Sequence, residues 1–206
     1  LEPFVRRFWP KTLISWTRVL DGRWRDPRVG RDLLLGVFVG PMGTVVFQSS
    51  VFTSALFGLR TGLEGSPPRS LLGPMDLIAE AVQLPLFGIL LALMILILLV
   101  MLRIVLRYER WAAIVALFLF AAVFSLANPG HVYVAWLPAG LFIGAVILLL
   151  TRFGLFAVVT TFVTTDLLKF PITTDSSAFY FGNGLFAIVL VLALAVYGLY
   201  MSLGNR

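Results

Sequence analysis

Long apolar runs separated by short polar clusters dominate the pattern of this chain. A hydrocarbon layer of roughly 30 Å is crossed by a helix of about 20 apolar residues. The clearest run, Leu84 to Leu102, contains no charged residue, and three arginines follow it within eight positions. The pattern predicts an all-α, polytopic transmembrane bundle of about six spans, at residues 33–57, 77–102, 111–127, 134–151, 153–169 and 181–203.

Residues 1–32 form a polar juxtamembrane segment ahead of the first span. Two sets of residues recur there at near-helical spacing on opposite sides: the apolar Leu13, Trp16, Leu20 and Trp24, and the basic Lys11, Arg18 and Arg25. This spacing predicts an amphipathic helix in the interface plane, ending at Pro27, with indoles at headgroup depth and cations facing anionic lipid. We therefore assign four residues to the membrane interface: Trp16, Trp24, Arg18 and Arg25. A helix that packs on a neighbouring soluble domain is the alternative.

Two G-x-x-x-G motifs are candidate helix-packing faces, because glycine permits close approach of another backbone. Gly36 and Gly40 lie in the first span, directly before Pro41, and Gly140 and Gly144 lie in the fourth. The outer half of the first span is polar, with one glutamine and several hydroxyl residues between positions 48 and 54. This polarity favours burial against other helices or beside a wet cavity over contact with lipid.

Composition supports a membrane protein, with 60% hydrophobic and 13% charged residues among 206. Soluble domains are typically about 45–50% apolar and about 25% charged. An even number of spans places thirteen of the sixteen Lys and Arg residues on one side, while the ten acidic residues divide equally. The positive-inside rule then predicts a multi-pass protein with cytoplasmic N- and C-termini. The net charge of +6 belongs to these span ends, so nucleic acid is not expected as a partner.

The residue inventory excludes several kinds of chemistry. The chain has no cysteine and a single histidine, His131, so thiolate sites, disulfides and two-histidine zinc motifs are excluded. The deep parts of the predicted spans lack ionisable residues, which intramembrane enzymes and transporters normally contain. We therefore expect no catalytic residue, no metal site, no enzymatic activity and no soluble small-molecule substrate. His131 lies in the loop NPGHVYV; it is either a ligand to chlorophyll magnesium or heme iron, or an ordinary solvated histidine.

Both ends of the chain resemble one protein family. The segment LEPFVRRFWPKTLISWTRVLDGRWRDPRVGRD, at residues 1–32, resembles the juxtamembrane stretch of serine/threonine protein kinases common among Acidobacteria. The segment TTDSSAFYFGNGLFAIVLVLALAVYGLYMSLGNR, at residues 173–206, is similar to the end of their C-terminal multi-span domain. The kinase motifs themselves are missing: there is no Gly-rich loop, V-A-I-K, H-R-D or D-F-G. The chain begins at Leu1 rather than methionine, so we expect it to be a segment of something longer.

Three functional hypotheses follow. The first is a non-enzymatic accessory or structural subunit of a larger membrane complex, for which a phototrophic acidobacterial reaction centre is one candidate, with lipid, carotenoid or chlorophyll at the helix surface. The second is the membrane anchor or sensor half of a serine/threonine kinase. The third is a small transporter or channel that uses the Pro41 break, Gln48 and the threonines of the fifth span. In the first two, the partners are the bilayer and other membrane protein subunits.

Overall fold

The computed structural model describes residues 12–59, 73–127, 132–173, 175 and 177–203, and these form seven α-helices and no strand. The helices in chain order are α1 (Ile14–Leu20), α2 (Pro27–Leu56), α3 (Pro74–Leu106), α4 (Glu109–Ala127), α5 (Val132–Arg152), α6 (Leu155–Leu167) and α7 (Phe181–Leu203). The predicted all-α class is confirmed. Residues 75–83 belong to the same helix as the apolar run that follows them, since α3 is continuous from Pro74.

Five helices, α2, α3, α4, α5 and α7, are long and apolar enough to cross a membrane. The exception is α6, for which the sequence predicted a span over residues 153–169. It has 13 residues, about 20 Å at 1.5 Å per residue, against a hydrocarbon layer of roughly 30 Å. The helix is shorter than predicted because Gly154 precedes it with a positive φ of 115° and residues 168–170 form turns before Pro171.

The short helix α6 occupies the centre of the bundle. It contacts α1, α2, α3, α5 and α7. Ten of its thirteen residues are buried: Leu155, Ala157, Val158, Val159, Thr160, Thr161, Phe162, Thr164, Thr165 and Leu167. A membrane helix surrounded by other helices does not need the length or the uniform apolarity of a lipid-facing span. Its surroundings are protein, and its polar groups have protein partners.

Apolar packing around α6 forms the main core. The largest buried cluster draws on α3, α4, α5 and α6. Aromatic rings connect α2 to this cluster: Phe47 lies 5.2 Å from Phe142 and 6.0 Å from Phe124, between ring centroids, and Phe142 lies 6.1 Å from Phe162. These separations fall in the range of favourable aromatic pairs. The rings thus join four helices at one level of the bundle.

The juxtamembrane helix differs from the prediction in extent. It ends at Leu20, not at Pro27, because Gly22 takes a φ of 74° and closes a Schellman-type cap: Gly22 N donates to Val19 O and Arg23 N to Arg18 O. Trp24 therefore lies beyond the helix, and Pro27 begins α2 instead of ending α1. Residues 27–32 accordingly belong to the first long helix.

Asp26 starts α2 as its N-cap, with its carboxylate accepting a 2.9 Å hydrogen bond from Arg28 N and pairing with the Arg18 guanidinium. Partial burial raises the pKa of Asp26, but these two hydrogen bonds and the charges of Arg18 and Arg28 lower it more. The net pKa lies below the ordinary value of 3.8. Because the pKa of Asp26 is lower in the folded state than in the unfolded state, its ionised carboxylate stabilises the fold at neutral pH. This contribution is lost progressively as the pH falls below about 3.8, the ordinary pKa of an aspartate.

Replacing Asp26 by alanine should lower the free energy of unfolding by about 1 kcal/mol at neutral pH, the usual effect of losing an N-cap. Asp26→Ser keeps a capping oxygen and should lose less stability than Asp26→Ala, because it gives up only the ion pair with Arg18. Unfolding in mixed micelles at pH 7 and pH 3 measures both. An alanine effect of equal size at both pH values would contradict a role for the ionised carboxylate.

Candidate functional site: the contacts of α6 with α1 and α2

The backbones of α2 and α6 approach each other closely at Gly36 and Gly40. A methyl group built on Gly36 would lie 2.5 Å from Thr160 Cβ and 2.6 Å from Ala157 O, and one on Gly40 would lie 2.8 Å from Thr161 O. Real Cβ atoms do not approach other atoms so closely. Only glycine fits at these two positions, so the first G-x-x-x-G face is occupied inside the protein by α6.

Threonine hydroxyls cross this contact in both directions. Thr44 Oγ1 of α2 donates to Thr165 O at 3.2 Å. Thr164 Oγ1 lies 3.2 Å from Gly36 O and Thr165 Oγ1 lies 3.1 Å from Gly40 O, and each also lies 2.8 Å from the carbonyl oxygen four residues earlier in α6, so its single proton is shared between the two acceptors. Small residues with interhelical hydrogen bonds are the usual way in which membrane helices associate. The threonine row of α6 therefore serves helix packing. Its hydroxyls are bonded to carbonyl groups rather than directed into an open passage.

A second contact lies where α1 meets α2 and α6. Ser15 Oγ donates a 2.5 Å hydrogen bond to Oδ2 of Asp32, which is 1% exposed. The other carboxylate oxygen accepts from Arg31 Nη2 at 3.0 Å and Nε at 3.2 Å. The Arg31 guanidinium also stands 5.3 Å from the centre of the Phe153 ring, within the range of a cation–π contact. A buried carboxylate is tolerated here because both of its oxygens have donors.

The start of α6 depends on the segment just before α1. Leu155 N, one of the first amides of α6, donates to Thr12 O at 2.9 Å. A methyl group on Gly154 would lie 2.5 Å from the same carbonyl oxygen, so glycine is needed for the approach. The first N–H groups of a helix lack partners within the helix and need others when buried. Thr12 supplies one, and this ties the juxtamembrane segment to the central helix.

The opposite end of α6 carries an ion pair. Lys169 Nζ lies 2.7 Å from Asp166 Oδ1, and the aspartate side chain is mostly buried while the lysine is largely exposed. Beyond it, Leu167 and Phe170 form a small apolar cluster with Ala187 of α7. The close approach of Pro171 O to Gly184 holds the following segment against the start of α7.

The second G-x-x-x-G face, at Gly140 and Gly144, makes no close backbone contact with the described helices. A methyl group on Gly140 would meet nothing within 4 Å, and one on Gly144 would meet only Leu117 Cδ1, at 3.4 Å. The two glycine faces do not meet each other, since Gly36 and Gly40 face α6. Internal packing among the described residues therefore does not require glycine at Gly140.

The four residues assigned to the interface occupy different environments. Trp16 is half-buried and packs against the main core, and Arg18 pairs with Asp26. Trp24 is 51% exposed and Arg25 is exposed. The structure therefore separates a core-facing half of the juxtamembrane segment from an exposed half. His131 lies outside the described residues.

The residues that a pore would use are not brought together. Gln48 is exposed on the surface of α2, whereas Thr161 is fully buried and its hydroxyl donates to Ala157 O at 2.9 Å. Within residues 12–59, 73–127, 132–173, 175 and 177–203, no group of three or more acidic or histidine side chains is placed to hold a metal ion.

Comparison of the chain with family models, with curated proteins and with solved structures yields no match.

Proposed function

We propose that this chain is a non-enzymatic membrane module that acts by packing, as an accessory or anchoring part of a larger complex in the bacterial inner membrane. One observation supports this most strongly: the buried hydroxyls of α6 bond to backbone carbonyls of α2 and α6. The outer faces of the long helices are broadly apolar and suit lipid or neighbouring subunits. Such a protein contributes surfaces and position rather than chemistry.

A reaction-centre complex with bound lipid, chlorophyll or carotenoid is one assignment within this proposal. The face around Gly140 would allow a neighbouring helix or a flat pigment to approach closely, because a methyl group there would have open space. The N- and C-termini are cytoplasmic in this proposal, as the charge bias indicates.

A kinase-linked anchor is the second assignment, and the juxtamembrane segment favours it. Thr12 and Ser15 are bonded to Leu155 and Asp32, so a movement imposed on this segment would reach the centre of the bundle. In a signalling role, α1 would transmit movement between the kinase and the bundle, and the stimulus would be sensed by another part of the bundle.

Gentle purification of the tagged protein from native membranes tests the proposal. We expect it to co-migrate in fixed proportion with other membrane polypeptides. Pigment absorption in that complex supports the reaction-centre assignment, and continuity with a kinase polypeptide supports the anchor. Recovery of the chain alone from native membranes, together with solute flux in proteoliposomes that is abolished by Thr161→Phe or Gln48→Phe, would overturn the packing role in favour of transport.

A further inference from the structure

The connection between α1 and α2 carries a concentrated positive charge beside exposed apolar side chains. We call residues 20–28 the elbow. We propose that the elbow binds the headgroup of an anionic phospholipid, with Arg23, Arg25 and Arg28 around the phosphate and Leu20 and Trp24 among the acyl chains. This site is independent of which complex the module joins.

The elbow has a defined shape that hydrogen bonds maintain. Gly22 N donates to Val19 O at 3.1 Å, Arg23 N to Arg18 O at 2.8 Å and Asp26 N to Arg23 O at 3.3 Å. Tyr197 Oη of α7 donates to Trp24 O at 3.3 Å, which attaches the elbow to the bundle. The arginines therefore project from a fixed turn, and less conformational freedom is lost when a ligand binds.

The charges of the elbow are unevenly matched. Asp26 is engaged by the Arg18 guanidinium and by Arg28 N. Arg23, Arg25 and Arg28 are exposed, and no ion pair with the described residues involves their side chains. Asp21, the other acidic residue of the elbow, is exposed at the end of α1. The elbow thus contains three arginines and two aspartates, and Arg18 pairs with one of these aspartates. Arginine is well suited to bind phosphate through paired hydrogen bonds.

Two features favour a lipid over free phosphate. Leu20 is 70% exposed and Trp24 is 51% exposed, so the arginines share their surface with side chains that gain free energy from acyl chains. The elbow also lies at one end of the transmembrane helices. Gly30, two residues beyond it, is packed against Met201 near the end of α7. Basic residues at this level attract the anionic lipids of the adjoining leaflet.

The test measures retention of phosphatidylglycerol by the full chain in dodecylmaltoside, by native mass spectrometry and by the lipid-dependent shift in Tm. The triple variant Arg23→Gln, Arg25→Gln, Arg28→Gln should bind phosphatidylglycerol at least about tenfold more weakly, because it removes the three guanidinium groups that would bind the phosphate through paired hydrogen bonds. Trp24→Ala should also weaken binding without changing the charge, and it keeps the bond from Tyr197, which uses the backbone of residue 24.

The matched control removes three exposed arginines that the charge bias assigns to the same side of the membrane: Arg107→Gln, Arg110→Gln, Arg152→Gln. Its affinity for phosphatidylglycerol should stay within about twofold of the parent. Equal losses in both triple variants would show that net charge alone attracts lipid and would overturn the elbow site. An equal Tm shift with inorganic phosphate, unaffected by Trp24→Ala, would overturn the lipid assignment. Tm in phosphatidylcholine micelles reports whether each variant is folded.

Discussion

Replacing Gly36 by alanine is expected to lower the free energy of unfolding by about 3 kcal/mol, near the upper end of the usual effect of overpacking. The new methyl group would stand 2.5 Å from Thr160 Cβ and 2.6 Å from Ala157 O. One of these contacts is with backbone, which cannot rotate away, so α2 and α6 must separate. Separation also lengthens the 3.2 Å hydrogen bond from Thr164 Oγ1 to Gly36 O.

Gly140→Ala is the matched control, because it makes the same change within another long helix where a methyl group meets nothing within 4 Å. Alanine is favoured over glycine in helices by up to about 1 kcal/mol, so this variant should be as stable as the parent or slightly more stable. Unfolding by sodium dodecyl sulfate from dodecylmaltoside micelles, followed by circular dichroism, compares the two. Equal stability of both variants would contradict the close contact between α2 and α6.

Replacing Asp32 by alanine is expected to release the juxtamembrane segment and to lower stability by about 2–3 kcal/mol. The change leaves the buried Ser15 hydroxyl without its acceptor, and such unsatisfied groups cost about 1–3 kcal/mol. The Arg31 side chain is about half exposed and its guanidinium can be solvated by water, so the loss of its ion pair with Asp32 contributes less to the destabilisation. Asp32→Asn keeps an acceptor for Ser15 and should retain most of the stability.

Hydrogen exchange measures the release directly. In Asp32→Ala, the amides of α1 and the Leu155 amide, which donates to Thr12 O, should exchange faster, while the amides of α4 remain protected. Asp21→Ala removes an exposed aspartate from the same segment and should change stability by no more than about 0.5 kcal/mol. Unchanged exchange at Leu155 in the Asp32→Ala variant would show that α1 is held by other contacts.

The five long helices could be predicted from the sequence because length and apolarity alone determine them. The run from Leu84 to Leu102 has no charged residue, and this helix could be predicted without knowing which other helices pack against it. The short length of α6 could not be predicted in this way. Leu168 and Phe170 are as apolar as the residues inside the helix, yet residues 168–170 form turns, and Phe170 and Pro171 pack against α7.

The end of α1 could have been predicted from local capping residues, although the hydrophobic spacing extended the helix past them. Asp21 and Gly22 form a usual C-terminal cap, and Asp26 before Pro27 is a usual helix start. Spacing grouped Trp24 with Leu13, although a turn separates them. The partnership of Ser15 with Asp32 had no comparable signal, because two residues 17 positions apart meet only after α1 has folded onto α2.

The enclosure of α6 has a consequence for which substitutions the chain tolerates. A lipid-facing position such as Leu90, which is 65% exposed, should accept any apolar side chain of any size and reject a charge. In α6 we expect the opposite preference, with a small polar residue tolerated better than a large apolar one. Serine at Thr164 keeps the hydroxyl, whereas leucine adds volume at a contact where Gly36 and Gly40 leave no space. Side-chain volume and hydroxyl placement are therefore expected to limit substitutions in α6, and hydrophobicity averaged along the chain does not reveal this constraint.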